Sequence, residues 1–511
     1  MSPDPTRIPV LVGVGQSIER EGRTDVIELA ERAARAAFAD APGLEGRIER
    51  LSMVGVSFSR VGRAPASEVA ERLGLRAVRC EVTTPGGNTP QWLVNRAARE
   101  IAAGQLGGTL ICGAEATRSM RLADPDADFL SAGRRSANRD ANRDADRRED
   151  EADPVVGPSV RGLLGAAEIQ ARLLRPAEIY PVFESVLAAR AGCPPAAWRE
   201  HLGRFLSRFT EVAATNPYAW FQQRLSAEEI ARPDAANRLT AEPYTKRMNS
   251  FANVDQGAAL LVTSYAHARE AGLADRCIFP WSGATSSDVT PAARRDLGAS
   301  PAIRAAAAAA LEASGIGLDE IGSFDLYSCF PVAVEVGAAE IGLALDDPRG
   351  LTRTGGLPFF GGPGNDYTSH AIAASVLWLR EQGGLAYVAG NGGLLSKHSI
   401  GIYGRTPPPR GFVAADPDEA QARIASEGLE VVEEASGLAT AVAGTVVYDR
   451  EGKVTSAPVI ATLDPTRPGA TDGPRVVANA EEELLDGLKG ESLVGRKVRV
   501  EGKPPVYGLL D

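Results

Sequence analysis

Reactive side chains are scarce in this 511-residue chain. Its five cysteines, Cys80, Cys112, Cys193, Cys277 and Cys329, are scattered with no Cys-x-x-Cys pair, so neither a disulfide framework nor a zinc site is indicated. Only four histidines, His201, His267, His370 and His398, are available for imidazole chemistry. No apolar run approaches the roughly 18 residues of a membrane helix, and the opening MSPDPTRIPV lacks a basic segment followed by a hydrophobic one. A cytoplasmic protein with no membrane attachment is expected. The formal net charge of −11 argues against a nucleic-acid surface.

What is present is a regular alternation. The runs RIPVLVGVGQS, RLSMVGVSFS, LRAVRCEVT and GTLICGAEA predict strands, and VIELAERAARAAFADA, ASEVAERLG and TPQWLVNRAAREIAAG predict helices between them. Strands alternating with helices indicate a largely parallel sheet covered by helices. A second block, from GAALLVTSY to GLAYVAGNGG, repeats the order of elements, so two similar halves are expected.

Four regions follow: an N-terminal half over 1–116 and 251–275, an inserted helical and aromatic loop domain over 117–250, a C-terminal half over 276–410, and a further domain over 411–511. Within the insert, the charged tract 134–153 has almost nothing apolar to bury and is expected to be disordered. The last region, with two strands around the turn in VVYDREGKV, predicts a small antiparallel β-barrel-like domain.

The two halves, the insert and the segment NTPQWLVNRAAREIAAGQLGGTLICGAEATRS resemble the thiolase superfamily over roughly residues 8 to 410. NPYAWF, PYTKRMNS, NGGLLSKHSIGIYG and the β-rich tail resemble type 1 thiolase-like proteins, which are similar to sterol carrier protein thiolases but add a C-terminal domain. The resemblance implies a layered α/β sandwich of two similar halves with a helical loop domain and a small C-terminal domain like an oligonucleotide-binding fold.

It also implies where the chemistry should stand. Thiolases acylate a cysteine at a helix N-terminus, where the dipole and free N–H groups stabilise a thiolate and the following oxyanion. In TTPGGNTPQWL that position falls at or next to Gly87, flanked by Gly86 and Asn88. Thr89 and Pro90 read as a helix cap, while the N–H groups of Gly86, Gly87 and Asn88 remain able to bind an anionic or carbonyl oxygen. The family's Asn-Glu-Ala-Phe or His-Asp-Cys-Phe loop matches Tyr327 to Phe330, so Tyr327 replaces the water-positioning residue and Ser328 the acid. Cys329 reads as a small buried hydrophobe. In GGLPFFGGPGNDY, Gly362 takes the place of the family histidine, and in AGNGG, Ala389 takes that of the second cysteine, with Asn391 and Gly392 following.

Each reactive side chain of thiolysis is replaced while the glycine frame is kept. The resemblance therefore implies an acetyl-CoA acetyltransferase-like protein of lipid metabolism that takes CoA or an acyl-CoA as substrate or ligand, needs no other cofactor or metal, and has altered or absent thiolase chemistry. Two alternatives stand beside it: a retro-aldolase acting on a 3-hydroxyacyl-CoA, and a non-catalytic CoA or lipid binder. For proton transfer, Tyr327 and His398 are the candidates; His398 also reads as a hydrogen-bonded strand residue. Asp366 reads as a helix cap, and His370 stands at the same helix start. The tail lacks the basic and aromatic stripe of a single-strand binder. A monomer or a homodimer is expected, with no nucleic-acid partner.

Overall fold

A computed structural model describes residues 4–126, 152–159, 163–464 and 473–510. The first sheet has the strand order Pro9–Ile18, Asp255–Ser264, Gly108–Ala116, Arg50–Met53, Arg79–Thr83, Val155–Val156. Asp255–Ser264 runs antiparallel to both neighbours, and the pairs beyond Gly108–Ala116 are parallel. The second sheet repeats this plan. Phe279–Ser287, Lys397–Gly404 and Leu385–Gly392 are successively antiparallel, and Ser323–Asp325 adds in parallel.

Helices Thr89–Ala102 and Tyr367–Gln382 pack on each other and on strands of both sheets, whereas Val26–Asp40 and Pro301–Ser314 cover the first and the second sheet respectively. The result is an α/β sandwich of two similar halves. Strands buried on both faces read as continuous apolar runs, which is why GAALLVTS and GTLICGAEA are legible as strands.

The insert contributes helices Pro176–Arg190 and Pro195–Thr215, whose aromatic faces join the main core. In the tail, Ala435–Gly444, Val459–Leu463, Arg475–Ala480, Val506–Leu509 and Lys497–Gly502 close into a β-barrel. The hairpin expected around the Asp-Arg-Glu-Gly turn is split. Its outer parts, Val447–Tyr448 and Val454–Ser456, leave the barrel still paired with each other, and Val447–Tyr448 joins the insert strand Leu239–Ala241, itself paired with Tyr244–Thr245.

Two expected boundaries are corrected. The segment after Gly411 stays with the second sheet, because Val413–Ala414 pairs with Phe279–Ser287 and Gln421 bonds Ser286 and Ser287. Most of the tract expected to be disordered lies outside the described residues. Its end does not fit that expectation: Asp153 is buried, and its carboxylate accepts the N–H groups of Ala66 (2.7 Å) and Ser67 (3.2 Å) at a helix start.

Candidate functional site

The turn from Thr83 to Thr89 is closed by its own backbone: Thr89 N–H donates to Gly86 C=O (3.0 Å) and the Thr89 hydroxyl to the same oxygen (2.7 Å). Thr89 is thus the first helical residue and not the cap expected of it; Asn88 precedes the helix in a helical conformation, without a side-chain cap bond. Gly87 N–H has no acceptor among the described residues.

Glycine is required here by close approach. A Cβ on Gly87 would lie 2.3 Å from Tyr327 Oη and 2.5 Å from the Asn391 carbonyl oxygen, and one on Gly392 would lie 2.3 Å from Asn88 Oδ1. A cysteine at position 87 has no room, because the Tyr327 phenol stands where its side chain would begin. Similarly, a Cβ on Gly362 would lie 2.1 Å from the Ser250 hydroxyl, so a serine from the insert fills the place of the family's imidazole.

Gly87, Tyr327, Gly362, Asn391 and Gly392 all line one cavity of about 780 Å3, with Cys329, Tyr180 and Ser250 beside them. Residues expected to bind the ligand, from three segments, therefore meet one another and the catalytic candidate Tyr327. Gly86 and Asn88 are corrected: they do not line this cavity. They pack behind it, where the Asn88 amide donates to Ser399 (3.2 Å) and its Oδ1 is buried without a partner among the described residues.

Lys397 lies behind the same turn, buried, with Nζ donating to the Pro85 carbonyl (2.8 Å) and no carboxylate paired to it among the described residues. Burial lowers its pKa to about 8. Nothing in the sequence marks this lysine, which sits in a strand between polar neighbours.

Tyr327 is 8% exposed, stacks edge-on against Tyr367 and has no hydrogen-bond partner for its hydroxyl among the described residues. Burial first, then the neighbouring Cys329 and Tyr367, pushes the phenol well above its ordinary pKa, so it stands as a neutral donor. Cys329 is both core and lining: it packs in the apolar core at the edge of the cavity, and its sulfur receives the Asn391 amide at 3.8 Å. Burial raises that thiol to about 12, which opposes the thiolate a nucleophile needs. The same amide donates to Tyr180 Oη (3.0 Å), fixing the loop Asn391–Leu395 through Leu395 N–H on that hydroxyl (3.0 Å).

His398 is corrected as well. Its ring lies 3.4 Å from Ser300 Oγ and 3.6 Å from Asp288 Oδ2, at the start of helix Pro301–Ser314, and it lines only a separate space of about 20 Å3 behind Tyr327. Burial raises the Asp288 pKa, but the hydrogen bond from His398 and the charge of Arg294 more than offset it. The His398 imidazole supports a helix start and does not face the large cavity. His370 is wholly buried on Gln16 (2.7 Å), and burial lowers it to about 3.

No group of residues able to hold a metal ion occurs among the described residues, and no helix among them is long and apolar enough to cross a membrane.

The crystal structure of a monomeric SCP2-thiolase-like protein type 1 from Mycobacterium smegmatis is similar to 99% of this chain and to 100% of its own, with 32% identity and a TM-score of 0.82. The Ltp2–ChsH2(DUF35) aldolase matches 78% of this chain and 98% of its own at 20% identity, TM-score 0.59. Acetyl-CoA acetyltransferase from Syntrophomonas wolfei matches 78% of this chain and 99% of its own at 15% identity, TM-score 0.56. The last two share the fold. No protein-family model matches the sequence, and no curated protein does. Full-length similarity at this identity, with the paired halves, the insert and the closed C-terminal barrel, means that the chain belongs to the type 1 SCP2-thiolase-like proteins of the thiolase superfamily.

Proposed function

We propose that the large cavity binds an acyl-CoA thioester without forming an acyl-enzyme. One observation carries this reading: the Tyr327 phenol occupies the space of a nucleophilic side chain above Gly87, while the unpaired Gly87 N–H and the glycine frame around it are retained. An oxygen of the ligand at that N–H would sit near a helix N-terminus with a neutral phenol beside it. Among the described residues, the deep end of the cavity offers no thiolate and no imidazole, so thiolysis and Claisen condensation through an acyl-cysteine are not expected.

The test is intact-mass spectrometry with acetyl-CoA and longer acyl-CoAs, alongside calorimetry. Saturable binding with unchanged protein mass is expected. An acyl adduct on Cys329, or acetoacetyl-CoA turnover, would overturn the proposal.

A second reading is favoured by the unpartnered Tyr327 hydroxyl. In retro-aldol cleavage of a 3-hydroxyacyl-CoA, the Cα–Cβ bond breaks, the carbonyl product leaves, and the CoA-ester enolate takes a proton at Cα. As that bond breaks, the substrate hydroxyl passes its proton to Tyr327 Oη while the phenol passes its own to Cα, so the tyrosine ends neutral and the step balances. Cleavage by the wild type that disappears in Tyr327→Phe supports it; equal rates remove it. By analogy with the monomeric mycobacterial protein we also propose a monomer, which light scattering checks.

A further inference from the structure

The cavity is asymmetric in charge. Its buried end carries Gly87, Tyr327 and Cys329, whereas its exposed end carries Arg121, Arg175 and Arg450 against the single carboxylate of Asp126 among the described lining residues. These guanidinium groups come from three separate parts of the chain, in a protein whose net charge is −11. Arg175 is exposed and only loosely paired, with Glu178 at 4.0 Å. Arg450 is exposed and forms no ion pair among the described residues.

Arg450 belongs to the C-terminal domain, at the tip of the hairpin that departs from the barrel. That tip is held from both sides. Asp449 Oδ1 accepts the N–H groups of Glu451 (3.0 Å) and Lys453 (2.8 Å), and Arg238 of the insert donates to the Asp449 carbonyl (3.3 Å). Tyr448 Oη donates to buried Glu242 (2.8 Å), whose other oxygen takes Arg199 (2.8 Å), and Glu242 N–H donates to Val446 C=O (2.9 Å). A hairpin braced in this way presents its arginine at a fixed place on the cavity rim.

We propose that the C-terminal domain is part of the ligand site: Arg450, with Arg175, binds the nucleotide phosphates of the CoA ester whose thioester end lies at Gly87. This assignment rests on the acyl-CoA reading above. Guanidinium groups suit phosphate oxygens because their N–H donors fit them in pairs and stay charged at any physiological pH. The barrel would then contribute recognition of the ligand, and its likeness to a nucleic-acid fold would be architectural only.

The experiment is calorimetric titration of the full chain, wild type, Arg450→Ala and Arg175→Ala, with CoA and with pantetheine, which lacks the nucleotide phosphates. Arg450→Ala is expected to weaken CoA roughly 5- to 20-fold and leave pantetheine unchanged, and the wild-type preference for CoA over pantetheine is expected to shrink as salt is raised. Wild-type affinity for CoA in Arg450→Ala, or an equal loss for both ligands, would overturn the role of the domain alone. A wild type that binds neither ligand would overturn the acyl-CoA reading and this assignment with it. Arg450 lies on an exposed turn, so circular dichroism should show the variant folded.

Discussion

The two central helices, Thr89–Ala102 and Tyr367–Gln382, are counterparts in the two halves, yet they begin differently. The first starts beside a cavity at a turn with no usable side chain: Gly87 N–H has no acceptor among the described residues, a tyrosine from elsewhere covers it, and a buried cation, Lys397, lies behind. The second starts sealed, on a buried acid. Asp366 accepts Ala258 N–H (3.0 Å) and the Ser369 hydroxyl (2.6 Å), with the nearest imidazole nitrogen, on His370, 4.0 Å away. Burial raises the Asp366 pKa well above the carboxylate range. One helix start keeps a backbone donor free beside the cavity, and the other is built on a buried carboxylate bonded to the fold.

Exchanging the glycine should break the first start most severely. Gly87→Ala puts a methyl group against both Tyr327 Oη and the Asn391 carbonyl, an overpacking of about 1–3 kcal/mol. The expected outcome is loss of acyl-CoA binding with a lowered Tm. Gly87→Cys should behave alike and regain no thiolase activity. Adding Tyr327→Ala should recover part of the stability, and only part, because the Asn391 backbone remains. Full recovery, or a silent Gly87→Ala, would contradict the close approach on which the site is built.

That approach shows how far the sequence could be read. Gly87, Gly362 and Ala389 are legible because, set against the family pattern, their residue type shows that a reactive side chain is missing, and the alternation of strands and helices exposes two halves. What filled the emptied space was not legible. Tyr327 and Ser250 come from segments distant in the chain, and only the fold brings their hydroxyls onto Gly87 and Gly362. Thr89 looked like a cap because Thr-Pro before an apolar run is a capping pattern, but the hydroxyl serves the preceding turn instead. His398 is the residue whose type points to proton chemistry, while its neighbour Lys397, a surface residue by type, is the buried charge behind the turn. Arg450 lay in a turn whose charge mattered only once the hairpin was seen to leave the barrel.

The sealed start yields to a different substitution. Asp366→Ala strands Ala258 N–H and the Ser369 hydroxyl in the core, at about 1–3 kcal/mol for each group left unsatisfied, and should lower Tm clearly while leaving any binding that survives unchanged in affinity. Asp366→Asn keeps an acceptor and removes the ionisable proton, so its Tm should stay near wild type. The sign at other pH values follows from linkage: an acid whose folded pKa is raised stabilises fully below its unfolded value, and the contribution is lost as pH rises through the folded one. Wild type should therefore lose ground to Asp366→Asn as pH is raised, as differential scanning calorimetry will show. Identical profiles for the two proteins would mean that Asp366 is ionised in the core.

The smallest effect is expected from the charge behind the open start. Lys397→Met retains most of the stem and removes the cation, so acyl-CoA affinity should fall only roughly 3- to 10-fold, the scale of one charge acting through intervening backbone. Its effect on stability runs opposite to that of Asp366. A lysine lowered from 10.5 to about 8 on folding binds fewer protons folded than unfolded, so wild-type stability gains as pH rises through that interval. Relative to wild type, Lys397→Met should be most favoured at pH 7 and lose its advantage toward pH 10. If the variant instead binds acyl-CoA as tightly as wild type at every pH, the lysine acts only on the fold, and the difference between the two helix starts reduces to the unpaired Gly87 N–H and the tyrosine above it.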